Sequence, residues 1–280
     1  LKEIIKVLRY NGVELCGGRV VIKLMHYLVD PERSHKLDIL SKTYLDIDID
    51  SEEEATEDLG LFDMSDARED TFLEKEAAIS LLLNAKIRVE MQNTSVATLY
   101  EQIEEPLIRV LAGMEYEGVK VDLSQLKTYA DKLRHGVSER ESKVREMAEE
   151  PTLNLSSPKQ IGVVLVEKLQ LDPKAKKSSK GNWATDETTL REIADRHPIV
   201  NEILEYREDK KLLSTYIEPF PSYISASTAK VHTTFNQALT ATGRLSSSNP
   251  NLQNIPIRSE KGKEIRKAFV PSSPDGFILS

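Results

Sequence analysis

Cysteine and tryptophan are nearly missing from this chain, with one of each in 280 residues. The lone Cys16 excludes an internal disulfide and a cysteine-rich zinc site. No apolar run reaches the roughly 18 residues of a membrane-spanning helix, so a membrane protein is not expected. Neither common type of glycine-rich phosphate loop is present. The five histidines (26, 35, 135, 197 and 232) include no i, i+4 pair and no H-x-E, which argues against a zinc enzyme. No G-x-S-x-G nucleophile elbow occurs. The chain opens on a helical pattern rather than a charged leader and an apolar core, so a reducing cytoplasm is the expected compartment.

What is present suits a folded protein. Apolar residues make up 39% and charged residues 30%, enough apolar material for a sizeable core. The length fits one large domain or two to three small ones. The net charge of −8 is unevenly placed: Asp46 to Asp70 holds twelve carboxylates against one arginine. From Lys230 onward there are seven Lys/Arg against three Asp/Glu, and Lys174, Lys176, Lys177 and Lys180 form a second basic cluster. This is a pattern to test for nucleic-acid binding, although charge runs are more often solvated surface.

Periodicity predicts mostly helices. Val20 to Val29 reads as a buried helix, and Leu37, Leu40 and Tyr44 share a helical face. The acidic stretch 46–70 reads as a loop. Thr71 with Glu74 predicts a capping box opening a helix to about Arg88, with Leu73, Ala77, Leu81 and Ala85 as its apolar stripe. Leu99, Ile103, Leu107, Leu111 and Glu115 follow an i, i+4 series in which only the last is polar, and Pro106 marks a kink or boundary within it. Gly118 is a natural stop. Asp122 with Gln125 starts a helix whose narrow stripe (Leu126, Leu133, Val137, Val144) suggests an arm projecting into solvent. Ser157, Pro158 and Gln160 form a strong helix start. Helices are expected from about Glu187 to Asp195 and from Ile199 to about Tyr216. Val231–Phe235 reads as a strand, and Phe277-Ile278-Leu279 as the beginning of another.

The tract Thr240-Ala241-Thr242-Gly243-Arg244-Leu245-Ser246-Ser247-Ser248-Asn249-Pro250-Asn251-Leu252-Gln253-Asn254-Ile255-Pro256 is unusual on its own terms. Ser247, Asn249, Asn251 and Gln253 alternate, which puts them on one face of an extended segment. Arg244 precedes them, and Arg258, Lys261, Lys263, Arg266 and Lys267 follow. Amides and an arginine on one face suit the purine N3 and pyrimidine O2 acceptors of the minor groove. Those acceptors occur in every base pair, so such a surface checks pairing geometry without reading sequence. A polar surface loop with an Asn-Pro turn is the plainer reading.

The tract closely resembles the signature T-A-T-G-R-L-S-S-x-x-P-N-L-Q-N-I-P of the family A DNA polymerases, the bacterial DNA polymerase I family. Ile103–Leu107 with Glu117–Asp122 resembles the start of that family's polymerase region. Asn154–Gln160 resembles its thumb, and Glu205-Tyr206-Arg207 with Lys211–Tyr216 the helix returning from the thumb. Val231-His232-Thr233 and Ile265–Phe269 resemble the first part of its palm. The likeness is clear over about 95–280 and weaker over 20–90.

The resemblance implies a mixed α/β, helix-rich fold in three parts. These are the C-terminal part of a 3′–5′ exonuclease-like domain (1–94), polymerase N-terminal helices and thumb (95–229), and the start of an incomplete palm (230–280). It implies that Arg244 donates to the minor groove and that Asn251, Gln253 and Asn254 lie along the nascent duplex. Arg207 and Lys211 would hold phosphates, and Asn154, Ser156 and Ser157 would contact the DNA backbone from a helix start. The family's metal-binding Asp motif is expected beyond Ser280. The expectation is therefore a portion of a DNA-directed DNA polymerase that binds primer–template duplex and is inactive alone. The alternative is a stand-alone duplex-binding module. Mg2+ and dNTPs would belong to the longer parent only, in a bacterial cytoplasm at the nucleoid, with no membrane partner. Phe72 and Glu76 align with the exonuclease Tyr-x-x-x-Asp motif, which puts proofreading in doubt.

Overall fold

The computed structural model describes residues 1–17, 20–49, 65–177, 181–257, 259–273 and 275–278, with side chains from residue 73 onward in the helix that begins at Ser65. Packing divides the chain into two compact units, 1–118 with 232–253 and 119–231 with 254–280. These packing boundaries differ from the division at 94 and 229 that the resemblance implies.

The first unit is built on α1 (Lys2–Tyr10), α2 (Ile22–Val29), α3 (Leu37–Leu45), α4 (Ser65–Asn93), the short α5 (Ala97–Leu99) and α6 (Glu105–Glu117). Its core joins Leu24, Met25 and Tyr27 of α2, Leu40 of α3, Leu83 and Ile87 of α4, and Ile108 of α6. The expected helix 20–29 is present with Ile22, Leu24, Met25, His26 and Tyr27 buried.

Two expectations for α4 fail. Helix α4 starts at Ser65 rather than at Thr71, so residues 65–70 are helical and not loop; the acidic residues 50–64 lie outside the described residues. The buried stripe of α4 is Ile79, Leu83, Ile87 and Met91, while Leu73 and Leu81 are exposed. Both stripes have i, i+4 spacing. The four larger apolar side chains of the second one bury more surface than a stripe half made of alanine, and the core takes that face.

A π-helical turn at Tyr100–Glu104 runs directly into α6, and Pro106, which lacks an N–H to donate, stands beside that junction, where a kink or boundary was expected. The wider turn rotates the face. Leu99 and Ile103 are therefore exposed, and the inward positions become Tyr100, Ile108, Leu111, Ala112 and Glu115. Gly118 ends the helix at φ 62°, a conformation that favours glycine. Strands β2 (Thr234–Asn236) and β3 (Ser246–Ser248) pair antiparallel, with Phe235 opposite Ser247.

The second unit centres on α7 (Leu123–Ala148) and α10 (Pro198–Lys211). Asp122 caps α7 by accepting from the N–H groups of Ser124 and Gln125, as its spacing predicts. The stripe Leu126, Leu133, Val137 and Val144 is buried, as expected. The helix does not stand alone, because α10 packs along it. Around this pair lie α8 (Pro158–Gly162), α9 (Glu187–Glu192) and α11 (Glu260–Arg266), with β1 (Lys120–Val121) pairing antiparallel to β4 (Phe269–Val270). Helices α8 and α10 each run on into a π-helical turn, Val163–Lys168 and Leu212–Ile217. Phe277 and Ile278 are exposed and outside any strand, against expectation; Leu279 lies outside the described residues. Among the described residues, no helix is long and apolar enough to cross a membrane.

Candidate nucleic-acid interface

The sequence-derived site residues fall on both units. Ser156, Arg207 and Lys211 of the second unit line one cleft of about 560 Å³, joined by Thr185, Lys210 and Ser214. Arg207 projects from α10, half-buried, and donates to both the carbonyl and the Oγ1 of Thr185, the latter at 3.4 Å. Burial lowers its pKa and the nearby Asp186 carboxylate acts against that. An arginine retains its proton through any such shift. Lys210 and Lys211 are exposed in the last turn of α10, where cations oppose the negative end of the helix dipole. The cleft thus gathers three cations and several hydroxyls, the chemistry that holds a phosphate chain.

The polar atoms at the start of α8 are largely used locally. Ser157 Oγ accepts from Gln160 N at 3.4 Å, and Asn154 Oδ1 accepts from Ser156 N at 2.9 Å. Gln160 Oε1 accepts from Asn154 N rather than from Ser157 N, so the expected box closes three residues earlier. Ser156 Oγ lies 3.1 Å from Tyr206 Oη, which ties this start to α10. Helix α8 continues into the π-helical turn Val163–Lys168, but the polar side chains at its start are engaged in these local bonds. The cations of α10 are the main part of this surface.

Arg244, Asn251 and Gln253 lie on the first unit, all exposed; Asn254 opens the last segment of the second unit and is exposed as well. Arg244 follows a turn in which Gly243 takes φ 72°, and its guanidinium has no partner among the described residues. The alternating face expected for 247–253 does not form. Ser247 is buried at 3% exposure, because its Oγ bonds Thr233 Oγ1 at 2.7 Å and accepts from Leu252 N at 3.0 Å. Asn249 takes a left-handed φ of 54°, and Asn251 Oδ1 accepts from Gln253 N. These local bonds fold the tract into turns and leave the amides at turn corners.

The basic run after Arg244 is also less available than its composition suggests. Lys261 is held by Glu205, Glu208 and Asp209 at 2.5, 3.1 and 2.7 Å. Lys263 pairs with Glu260 and Lys267 with Glu264. Arg258 and Lys180 lie outside the described residues. Among the described residues, no group of three or more His, Cys, Asp or Glu side chains is placed to hold a metal ion. The magnesium implied by the resemblance thus has no fitting donor set among them, and the chemistry assigned below runs through no metal.

Sequence reasoning missed Thr185, Lys210 and Ser214 as companions of Arg207. It noted Glu115 as the one polar member of an apolar series but gave it no role. Its side chain is fully buried, receives Lys2 Nζ at Oε1, and has Lys6 Nζ 2.9 Å from Oε2.

The family model described as DNA polymerase family A matches residues 123–280, more than half of the chain. The chain belongs to that family. It is 42% identical over 284 residues to the DNA polymerase I of Bacillus subtilis, an alignment covering all of this chain and 32% of that protein. It is 40% identical over 277 residues to the DNA polymerase I of Geobacillus stearothermophilus, covering 98% of this chain and 31% of that one. The chain therefore spans about a third of the length of these polymerases. Among solved structures, the POL domain of Pol1 from M. smegmatis, in complex with DNA primer-template and dNTP, superimposes with a TM-score of 0.81 at 32% identity. That match covers 96% of this chain and 44% of the other. The helix-rich mixed α/β fold of this family A chain is thus that of a DNA polymerase I domain.

Proposed function

We propose that these 280 residues form the duplex-holding portion of a template-directed DNA polymerase acting in replication and repair. On this reading they bind primer–template DNA and do not extend a primer by themselves. The observation that carries the reading is the cleft in which Arg207, Lys210 and Lys211 converge with Ser156, Thr185 and Ser214. Three cations beside hydroxyls neutralise and orient successive phosphates without reading sequence. Arg244, exposed, is assigned to the minor-groove acceptors at the primer terminus, with Asn251, Gln253 and Asn254 along the nascent duplex. Asn154 and Ser157 shape the helix start that presents Ser156 to the backbone.

Inactivity in isolation is part of the same proposal. Two-metal phosphoryl transfer needs paired carboxylates holding ions about 3.5–4 Å apart. The cleft contributes one carboxylate, Asp186, whose oxygens are engaged by Thr189 at the cap of α9. Magnesium and dNTPs are accordingly assigned to the longer polymerases of the family. The assignment of 1–94 to an exonuclease-like region, 95–229 to N-terminal helices and thumb, and 230–280 to the palm rests on the motifs. No proofreading is assigned, because Phe72 and Glu76 stand where the family's motif has Tyr and Asp. The bacterial relatives support action in the cytoplasm, at the nucleoid.

The test is binding of a fluorescent primer–template duplex by the purified chain, followed by primer extension with Mg2+ and dNTPs. Binding is expected, weakened by Arg207→Ala and by Arg244→Ala, with no extension product. Failure of the chain to bind duplex would overturn the duplex-holding reading. Metal-dependent extension would overturn the assignment of inactivity.

A further inference from the structure

Arg244 sits on the connection between β2 and β3, two strands of three residues each. A two-stranded hairpin that short is marginal in water on its own. The ladder therefore does not fix where Arg244 stands, and the fixing must come from what the hairpin is fastened to. Three fastenings are present, all within the first unit.

The first is at the base. Glu115 of α6 is buried, and its Oε1 accepts the backbone N–H of Phe235 at 2.8 Å. Lys2 of α1 donates to that same Oε1 and to the carbonyl of Phe235, so one carboxylate and one ammonium grip both polar groups of a single β2 residue. The imidazole Nδ1 of His232 lies 2.8 Å from the carbonyl of Glu115; a carbonyl only accepts, so this nitrogen carries the proton. The second fastening is midway, where Gln237 Nε2 donates to the carbonyl and Oε2 of Glu104 at 3.0 and 2.8 Å. The third is near the tip. Tyr27 of α2, 4% exposed, donates its hydroxyl to the carbonyl of Thr240 at 2.7 Å. Thr240 Oγ1 in turn donates to the carbonyl of Arg244 at 2.8 Å. Two hydrogen bonds thus separate a core tyrosine from the backbone of the exposed arginine.

We infer that Tyr27 and Glu115 are positioning residues that hold the 234–248 hairpin so that Arg244 meets the duplex already oriented. A buried carboxylate must be paired to be tolerated, and a buried hydroxyl must be bonded. Here the Tyr27 hydroxyl spends its bond on this hairpin, and Glu115 shares its carboxylate between the hairpin's Phe235 N–H and the two lysines of α1. Orienting a long side chain before binding lowers the ordering cost that binding otherwise carries. The helices of the N-terminal segment therefore contribute to DNA affinity without touching DNA.

The inference rests on the assignment of Arg244 to the duplex, and its test separates the two. Tyr27→Phe removes one hydroxyl and keeps the ring. Glu115→Gln keeps an acceptor for Phe235 N–H and removes the charge that Lys2 and Lys6 pair. Each is combined with Arg244→Ala, and primer–template Kd is measured for the whole 280-residue chain. Tyr27→Phe is expected to weaken binding about three- to ten-fold, the loss of one net hydrogen bond. The loss is expected to vanish in the Arg244→Ala background. An equal loss in both backgrounds would overturn the inference, because a merely structural role is additive. Amide exchange of 234–248 without DNA is the second readout. Faster exchange in Tyr27→Phe at an unchanged thermal midpoint is expected, and unchanged exchange would overturn the inference. If the parent chain fails to bind duplex, the function assigned to Arg244 fails, and exchange alone decides the positioning. Should Glu115→Gln fail to fold, Tyr27→Phe carries the test.

Discussion

Asp209 offers the sharpest energetic test of how the second unit is held together. It projects from α10 with 2% of its surface exposed. Its Oδ2 accepts from Arg140 Nη1 of α7 at 3.0 Å, and its Oδ1 lies 2.7 Å from Lys261 Nζ of α11. One buried carboxylate therefore joins three helices, one of which carries Arg207 and Lys211. Breaking a buried ion pair by removing one partner costs about 3–5 kcal/mol. Two features place this case at the low end. The side chains of Arg140 and Lys261 are 25% and 27% exposed, so water partly replaces the lost partner. Glu202, Glu205 and Glu208 remain beside the two cations. Asp209→Ala is therefore expected to destabilise the unit by about 3 kcal/mol. The assay is urea unfolding followed by the fluorescence of Trp183, the only tryptophan in the chain and a residue of this unit. Glu260→Ala, which removes a solvent-exposed partner of Lys263, is the control and is expected to leave the midpoint unchanged. A loss for Asp209→Ala below about 1 kcal/mol, the range of an exposed pair, would refute the reasoning.

Three further outcomes follow from the same geometry. Leu83→Ala, at a site with 0% exposure, is expected to cost about 3 kcal/mol, against less than about 0.5 kcal/mol for Leu81→Ala at 72% exposure; chemical denaturation of the two variants checks which stripe of α4 is the core. Gly262→Ala is expected to destabilise by about 2 kcal/mol, because the new Cβ would stand 2.7 Å from Pro256 Cβ and still closer to its carbonyl oxygen; thermal unfolding reads it. Burial pushes the Glu115 carboxyl up, but hydrogen bonds from Lys2, Lys6 and the Phe235 N–H outweigh it and hold it below its ordinary value of 4.5. A carboxyl depressed in the folded state adds stability above its unfolded value and loses it as pH falls through the folded one. The stability gap between the parent chain and Glu115→Gln should then narrow below about pH 4.5 in a pH series of urea midpoints.

Local chemistry was the most legible part of the sequence. Asp122 and Ser157 cap helices where their spacing predicts, because an N-cap needs only residues two or three positions away. Features decided by distant partners were not legible. The alternative stripes of α4 have the same periodicity, so spacing alone does not choose between them; the larger side chains of one do, by packing against α2 and α3. Pro106 signalled a boundary within the i, i+4 series, but not that the boundary takes the form of a π-helical turn at 100–104 that rotates the buried face. Ser247 has the spacing of an outward residue and is drawn inward by Thr233, fourteen positions earlier. For the candidate site, Arg207 and Lys211 were visible through motif resemblance. The cleft they share with Thr185 was not, because it forms only when the segment before α9 packs on α10. In sequence Lys261 is one more member of a basic run; in the fold three carboxylates of α10 surround it.

The central claim is that this chain holds duplex DNA through cations acting on phosphates. The most direct measurement is the primer–template Kd of the purified chain across a salt series. If about five phosphates are neutralised, log K falls with log salt at a slope of roughly −4 to −5. Arg207→Ala should make that slope shallower by about one. Binding that is absent, or that does not change with salt, would contradict the account.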